Sequence, residues 1–118
     1  MRAIILILAM ASVPAQAADQ FDLVCTSEKA TVRYRVDLQK KEVCSDSCES
    51  IWRMGDSTAG ELFLIDQKPA YSGDLEEQSV VNRQSGAWRY NSRLRGKLFS
   101  RDGHCEPAPF SGFPAAKF

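Results

Sequence analysis

Apolar and polar residues alternate along most of this chain, and a period of two predicts β-strands that bury one face and expose the other. The pattern is clearest in residues 31–38, where every second side chain is apolar: Val32, Tyr34, Val36 and Leu38. Residues 62–65 are apolar on both faces, which predicts the most deeply buried strand. The spacing of Asp46 and Glu49 is that of a helix N-cap and its third residue, and it predicts one helical turn.

Turn residues separate the expected strands at short intervals. Gln84-Ser85-Gly86 lies between two such strands and is typical of a hairpin, and Asp102-Gly103 is a second turn signal. No stretch predicts a helix longer than two turns. These patterns predict an all-β domain: a small antiparallel meander of about seven strands, curved or closed as a barrel.

The first 17 residues predict a cleaved signal peptide. Met1 and Arg2 give a positive start, residues 3–10 are apolar, and Ala15-Gln16-Ala17 has the small residues that signal peptidase requires. The apolar run is too short to cross about 30 Å of hydrocarbon, and no later run is long enough, so we expect no transmembrane segment in the mature chain. The sequence therefore predicts a periplasmic or secreted bacterial protein.

The chain has four cysteines, and in a small exported domain they predict two disulfides. Cys44 and Cys48 are close enough in sequence to close a tight loop, which leaves Cys25 to pair with Cys105. We favour this pairing, and the two other pairings stay open at the level of sequence.

Zinc is an alternative use of the same residues. Cys44, Cys48, His104 and Cys105 would supply the four ligands of a structural site. The two-residue spacing common in such sites is missing from both pairs, and the expected compartment is oxidising. We therefore expect no metal and no cofactor.

The end of the chain is rich in proline and phenylalanine. Pro107, Pro109 and Pro114 do not suit a central strand, because proline cannot donate a hydrogen bond to the ladder. Residues 18–106 are therefore expected to form the disulfide-stapled domain. Residues 107–118 are expected to lie extended over its surface as a tail.

Charge is balanced overall, with 15 basic and 15 acidic residues, but it is unevenly placed. Residues 18–79 contain 7 basic and 13 acidic residues, and residues 80–118 contain 7 basic and 2 acidic ones. The two halves can simply attract each other within one fold. The alternative is that the basic half presents a surface to an anionic partner.

The strand expected at 87–95 carries aromatic residues on one face and arginines on the other. Guanidinium groups on one face can hold phosphates or carboxylates through paired hydrogen bonds. We predict that an anionic envelope component or another, acidic exported protein binds five basic residues: Arg83, Arg89, Arg93, Arg95 and Lys97. The alternative is that these side chains pair with acids on neighbouring strands. Nucleic acid is not expected, because Trp88 and Tyr90 lie on the opposite face.

Two further functions are weighed against this binding module. One is an inhibitor of a secreted hydrolase such as lysozyme, acting through the irregular segment 68–74. Bacterial lysozyme inhibitors are similar to this chain in size and export. Their fuller Ser-Gly-rich loop motif is absent here. The other is a small hydrolase centred on His104, the only histidine, which would need a free thiol or a metal beside it. We expect binding without catalysis.

Several motifs together resemble those of small exported bacterial cysteine-containing proteins without an assigned activity. They are Leu23-Val24-Cys25, residues 34–38, the Cys44–Cys48 ring, residues 82–86, Gly103-His104-Cys105 and residues 109–114. The resemblance spans most of the mature chain and implies export and disulfides. It implies no ligand and no catalytic residue.

Overall fold

The computed structural model describes residues 19–115, and these form eight antiparallel strands and no helix. The all-β prediction is confirmed, with eight strands where about seven were expected. The strands are β1 (Gln20–Ser27), β2 (Thr31–Asp37), β3 (Glu42–Ser45), β4 (Trp52–Arg53), β5 (Glu61–Gln67), β6 (Glu76–Asn82), β7 (Ala87–Leu94) and β8 (Lys97–Ala108). The predicted signal peptide, residues 1–17, lies outside the described residues, as do residues 116–118 of the predicted tail. In residues 19–115 there is accordingly no helical segment able to cross a membrane.

The strands form one sheet in the order β4-β3-β2-β1-β8-β7-β6-β5. Strands that follow each other in sequence are neighbours in the sheet, with the exception of β4 and β5, which lie at the two edges. The first and last strands, β1 and β8, pair in the middle of the order. The sheet curls until these edges meet. At this seam the Gly55 N–H donates to the Phe63 carbonyl and Trp52 Nε1 donates to the Leu64 carbonyl, both at 2.9 Å. The result is a nearly closed barrel.

Both predicted disulfides are confirmed. Cys25 and Cys105 lie directly opposite each other on β1 and β8, so their bond joins the first and last strands of the barrel. Cys44 and Cys48 close the loop that follows β3. The zinc hypothesis is wrong, because all four thiols are used in disulfides. Residues 19–115 also contain no group of His, Cys, Asp and Glu that could hold a metal ion.

The barrel interior is filled by alternate side chains of the strands. Its fully buried apolar members include Val36, Val43 and Leu64, and Trp88 is the largest side chain among them. Three polar groups meet in this core: Ser79 Oγ accepts a hydrogen bond from Trp88 Nε1 at 2.8 Å and lies 3.1 Å from the Tyr34 hydroxyl. This arrangement satisfies the polar atoms of two large rings that the barrel buries.

The predicted helical turn at 46–49 is wrong. Asp46 and Cys48 have φ values of 50° and 57°, which belong to the left-handed region and not to a helix. Asp46 Oδ1 accepts the backbone N–H of Arg33 at 3.1 Å, so its carboxylate binds β2 and caps no helix. The Cys44–Cys48 bond closes this tight turn.

Strand β8 runs to Ala108 and therefore includes the first two residues of the predicted tail. Pro107 lies opposite Leu23 of β1. The Cys105 N–H donates to the Gly86 carbonyl, on the β7 side, and alternation along the strand places the Pro107 nitrogen on that side too. The β7 ladder ends at the pair Ala87–His104, so proline removes no ladder bond there.

Beyond Ala108 the chain crosses the outer faces of β1 and β2. The Ser111 N–H donates to Asp22 Oδ1 at 3.1 Å, and Arg35 Nη1 donates to the Gly112 carbonyl at 2.9 Å. Phe110 and Phe113 pack edge to face, with ring centroids 5.3 Å apart. These contacts hold residues 109–113 against the barrel.

The strand directions place the connections at two ends of the barrel. Residues 28–30, 46–51, 68–75 and 95–96 lie at one end, which we call the upper rim. Residues 38–41, 54–60 and 83–86 lie at the opposite, lower end. Strand β8 is longer than its neighbours, so the β7–β8 hairpin extends beyond β1 at the upper rim.

Candidate functional site

The β7–β8 hairpin extends beyond the end of β1 at the upper rim, while β6 pairs with β7 as far as Arg93. Strand β7 pairs with residues 97–104 of β8, whereas β1 pairs only with residues 103–108. Among the strands of residues 19–115, one therefore lies beside residues 97–102 on the β7 side and none lies on the other side. We call this segment the free edge.

A two-residue turn closes the hairpin. Leu94 pairs with Lys97, and the residues between them, Arg95 and Gly96, have φ values of 52° and 79°. Positive φ at both central positions is the geometry of a type I′ turn, whose twist matches that of the flanking strands. Glycine adopts this conformation at no steric cost. The turn fixes the positions of the charged side chains on either side of it.

The structure brings together three of the five predicted binding residues. Arg93 lies on the outer face of β7, Arg95 lies in the turn, and Lys97 begins β8. We call these three residues the basic tip. Arg89 lies on the outer face of β7, farther from the turn. Arg83 lies at the lower end of the barrel, where its Nη1 is 3.5 Å from the Thr58 carbonyl, and it is separate from the other four.

The alternative role for these residues was pairing with acids on neighbouring strands. The register places Asp102 opposite Arg89 and Glu76 opposite Arg93. Neither pair forms a salt bridge; the two salt bridges found in residues 19–115 are Arg33–Asp22 and His104–Glu106. The arginines of β7 are therefore not neutralised by contact with a carboxylate of the described chain.

Apolar and aromatic side chains accompany this charge. Leu94, Leu98 and Phe99 are 49%, 62% and 43% exposed, and all three lie in the hairpin. The Arg101 guanidinium lies over the rings of Tyr90, 5.5 Å from its centroid, and of Phe99, at 5.1 Å. Such stacking holds a cation in place without neutralising it.

Leu98, Phe99 and Arg101 were not among the predicted site residues. The sequence does hint at Leu98 and Phe99: they are consecutive apolar residues, and a strand must place them on opposite faces. One of two such faces usually lies against a core, and here both are exposed. Recognising that exposure requires knowing that β1 ends before this level of the barrel.

Tyr90 connects the hairpin to the barrel interior. Its hydroxyl donates to the Glu77 carboxylate. Burial, together with this carboxylate, raises the pKa of Tyr90 to about 12, so the phenol stays protonated at physiological pH. The ring provides a fixed surface on which Arg101 stacks.

A groove of about 350 Å³ lies beside the basic tip, between the ends of β5, β6 and β7. Its lining mixes both signs of charge and includes Lys68, Glu76, Arg93 and Leu98. The groove is open on one side, so it suits contact with a surface group of a larger partner better than enclosure of a small molecule.

The segment proposed for hydrolase inhibition also lies at the upper rim. Within residues 68–74, Tyr71 is 79% exposed. A local turn holds it: the Tyr71 N–H donates to Asp74 Oδ2, and the Asp74 N–H donates to the Tyr71 carbonyl, both at 3.1 Å. The segment and the basic tip therefore lie at the same end of the barrel.

His104 lies on the outer face of β8. Its Nε2 is 2.6 Å from Glu106 Oε1, and the side chain is 53% exposed. The neighbouring Cys105 is bonded to Cys25, so it offers no thiolate to a histidine base. Within the described residues, His104 therefore has no free thiol beside it.

Comparison of the chain with protein-family models, with curated proteins and with solved structures finds no match. The resemblance to small exported bacterial proteins stays a prediction from motifs.

Proposed function

We propose that this protein acts by binding, without catalysis, and that its basic tip holds an anionic group of an envelope component or of an acidic exported protein. The observation that carries the proposal is the unpaired charge of the β7–β8 hairpin. Residues 92–101 contain four basic residues and no acidic one. No salt bridge within residues 19–115 involves the basic tip.

The shape of the hairpin supports the same proposal. The hairpin extends beyond the end of β1, so its β8 side is accessible to a partner at the upper rim. The fixed turn keeps Arg93, Arg95 and Lys97 close together, so that they can act on one anionic surface. Grouped charge of this kind speeds association and confers salt dependence.

A charge-removal experiment tests this proposal. The triple variant Arg93→Gln, Arg95→Gln, Lys97→Gln should bind a poly-glutamate surface and the bacterial envelope fraction about tenfold more weakly at low salt, since three exposed charges contribute roughly 0.5 kcal/mol each. The matched control is Lys40→Gln, Lys41→Gln, Arg53→Gln, which removes three exposed charges away from the upper rim. Equal binding by both triple variants contradicts the proposal.

Inhibition of a secreted hydrolase is the second candidate, and the exposure of Tyr71 favours it. An aromatic ring on a short structured loop can enter the cleft of an enzyme, as inhibitor anchors do. Lysozyme activity measured with the purified protein tests it, with Tyr71→Ala as the comparison. Full lysozyme activity at micromolar protein removes this candidate.

We propose a periplasmic or secreted location for the mature protein, after cleavage behind Ala17. The two disulfides are compatible with an oxidising compartment. N-terminal sequencing of the protein recovered from cell fractions tests the location. A chain that begins at Met1 in the cytosolic fraction contradicts it.

A further inference from the structure

We propose that the free edge of β8 is a docking site for an extended acidic segment of a partner protein, which adds to the sheet as a further strand. This inference rests on the proposed binding function and names the kind of partner that the basic tip receives. It assigns the recognition to backbone pairing as well as to charge.

The first observation is the direction of the backbone groups. The Cys105 N–H donates to the Gly86 carbonyl at 2.8 Å, on the β7 side of β8. In an antiparallel strand the N–H and C=O groups of alternate residues point to the same side. Residues 97, 99 and 101 therefore face β7, and Leu98, Ser100 and Asp102 turn their N–H and C=O groups away from it.

Those groups have no strand to receive them. Strand β1 pairs with β8 only from Gly103 onward, and the described residues place no other strand beside residues 97–102. A row of unpaired backbone groups is a template for another extended chain. Most sheets shield such an edge, and here five of its six residues are exposed.

The side chains of the free edge also suit a covered position. Leu98 points to the outer face, and Phe99 points to the inner face, because its partner Ser92 shares a face with Tyr90. Exposed fractions of 62% and 43% mean that both faces carry unburied apolar surface. An added strand would cover each of them with alternate side chains, which is how strand addition obtains specificity.

Charge selects the occupant. Lys97 and Arg101 lie in the free edge together with one acid, Asp102, and Arg93 and Arg95 lie beside it, so basic residues outnumber the acid four to one. A second copy of this chain is disfavoured: pairing two free edges about Phe99 would place Lys97 opposite Arg101 of the other copy, and like charges directly opposite are destabilising. The chain's own segment after β8 is held elsewhere, by Asp22 and Arg35. An extended acidic peptide would supply hydrogen-bond partners for the outward backbone groups and negative charge for the basic side chains.

The test uses a labelled peptide of alternating glutamate and valine and the full mature protein. Ser100→Pro removes an N–H that faces outward and places the proline ring in the path of an added strand, while the bonds of β8 to β7 are kept. Ser100→Ala is the matched control, because it removes only the hydroxyl, which donates to Asn91 Oδ1 at 3.0 Å. Dissociation constants are measured by fluorescence anisotropy.

We expect Ser100→Pro to weaken peptide binding at least about tenfold relative to Ser100→Ala. A second arm leaves the protein unchanged: the same peptide, N-methylated at every backbone nitrogen, keeps its charge but has no N–H group on either edge with which to pair. It should bind as weakly as the unmodified peptide binds Ser100→Pro. This arm gives an answer even where the proline variant fails to fold.

The outcomes separate this inference from the proposed function. Equal binding by Ser100→Pro and Ser100→Ala, together with weak binding by the triple variant of the basic tip, overturns edge docking and leaves charge-based binding in place. Binding to vesicles of anionic lipid, with no binding to the peptide, also overturns edge docking, because a lipid surface offers no strand. Binding unaffected by any of these changes overturns both proposals.

Discussion

Asp22 shows how a single carboxylate holds the end of the described chain against the barrel. It lies on the outer face of β1 yet has no exposed surface, because residues 109–113 cover it. Burial raises the pKa of this carboxyl, but the hydrogen bonds from Ser111 and Arg33 outweigh that effect and hold the pKa below its usual range. The Arg33 Nε atom lies 2.6 Å from Asp22 Oδ2. The folded state therefore favours the ionised form.

Because the folded pKa of Asp22 is lowered, its ionisation stabilises the fold at any pH above the unfolded value of 3.8 and ceases to do so as the pH falls through the folded value. We expect Asp22→Asn to lower the free energy of unfolding by about 1.5–3 kcal/mol at neutral pH, which is typical of hydrogen bonds to a charged group. The deficit should shrink in acid. Urea unfolding at several pH values measures it, with the exposed Asp56→Asn as control, and a deficit independent of pH contradicts the account.

Ser79 is a second residue whose substitution should lower the free energy of unfolding. Its Oγ atom is the partner of both Trp88 Nε1 and the Tyr34 hydroxyl in the barrel core. Ser79→Ala should lower the free energy of unfolding by about 1–3 kcal/mol, because it leaves buried polar atoms without partners. Thermal unfolding followed by tryptophan fluorescence measures this change. Ser100→Ala, at an exposed serine, should change stability by less than about 0.5 kcal/mol.

At the scale of elements, alternation predicted strands where one face is buried and the other is wet. Strand β2 follows the predicted pattern at 31–37. The spacing of Asp46 and Glu49 predicted a helical turn at 46–49, and this is wrong, because a left-handed turn closed by a disulfide lies there. The prolines predicted that the tail begins at Pro107, whereas β8 runs to Ala108. Pro107 is tolerated in this strand because β7 has already ended beside it. Local sequence does not state where a neighbouring strand stops.

The two disulfides connect elements at very different separations along the chain. Cys25 and Cys105 are 80 residues apart, and Cys44 and Cys48 are 4 residues apart. The loop-entropy model gives a stabilisation of about 4.5 kcal/mol for the long loop and about 2 kcal/mol for the short one.

We therefore expect Cys25→Ala with Cys105→Ala to lower the urea midpoint about twice as much as Cys44→Ala with Cys48→Ala, with comparable denaturant slopes. Equilibrium unfolding of both double variants in urea decides this. An equal loss in the two double variants would show that the long cross-link does not act through the unfolded chain.

In the whole molecule, the sequence predicted that Arg93, Arg95 and Lys97 lie close together. It did not predict that the hairpin carrying them extends beyond the end of β1. Arg93, Arg95 and Lys97 meet because one tight turn joins them, and short-range patterns suffice to predict that. Arg83 was grouped with them, yet the eight residues of β7 separate it from the turn by about 25 Å. The free edge depends on the pairing of β1 with β8, which no local pattern specifies.

The whole domain is expected to depend on oxidation. The two cross-links together contribute about 6.5 kcal/mol in the loop-entropy model, and a small domain has a net stability of only about 5–15 kcal/mol. We expect reduction with dithiothreitol to leave the protein marginally folded or unfolded at 37 °C. Near-ultraviolet circular dichroism before and after reduction, with a thiol count, measures this. An unchanged spectrum at full reduction contradicts it.

The pairing of β1 with β8 has a consequence for biosynthesis. A ribosome makes the first strand of this barrel long before its neighbour, since about 80 residues intervene between Cys25 and Cys105. Leu23 and Cys25 must wait, uncovered on one side, until the final strand has emerged. The nascent polypeptide therefore cannot finish folding in stages from its beginning, because its first strand lacks one neighbour until the last strand is made.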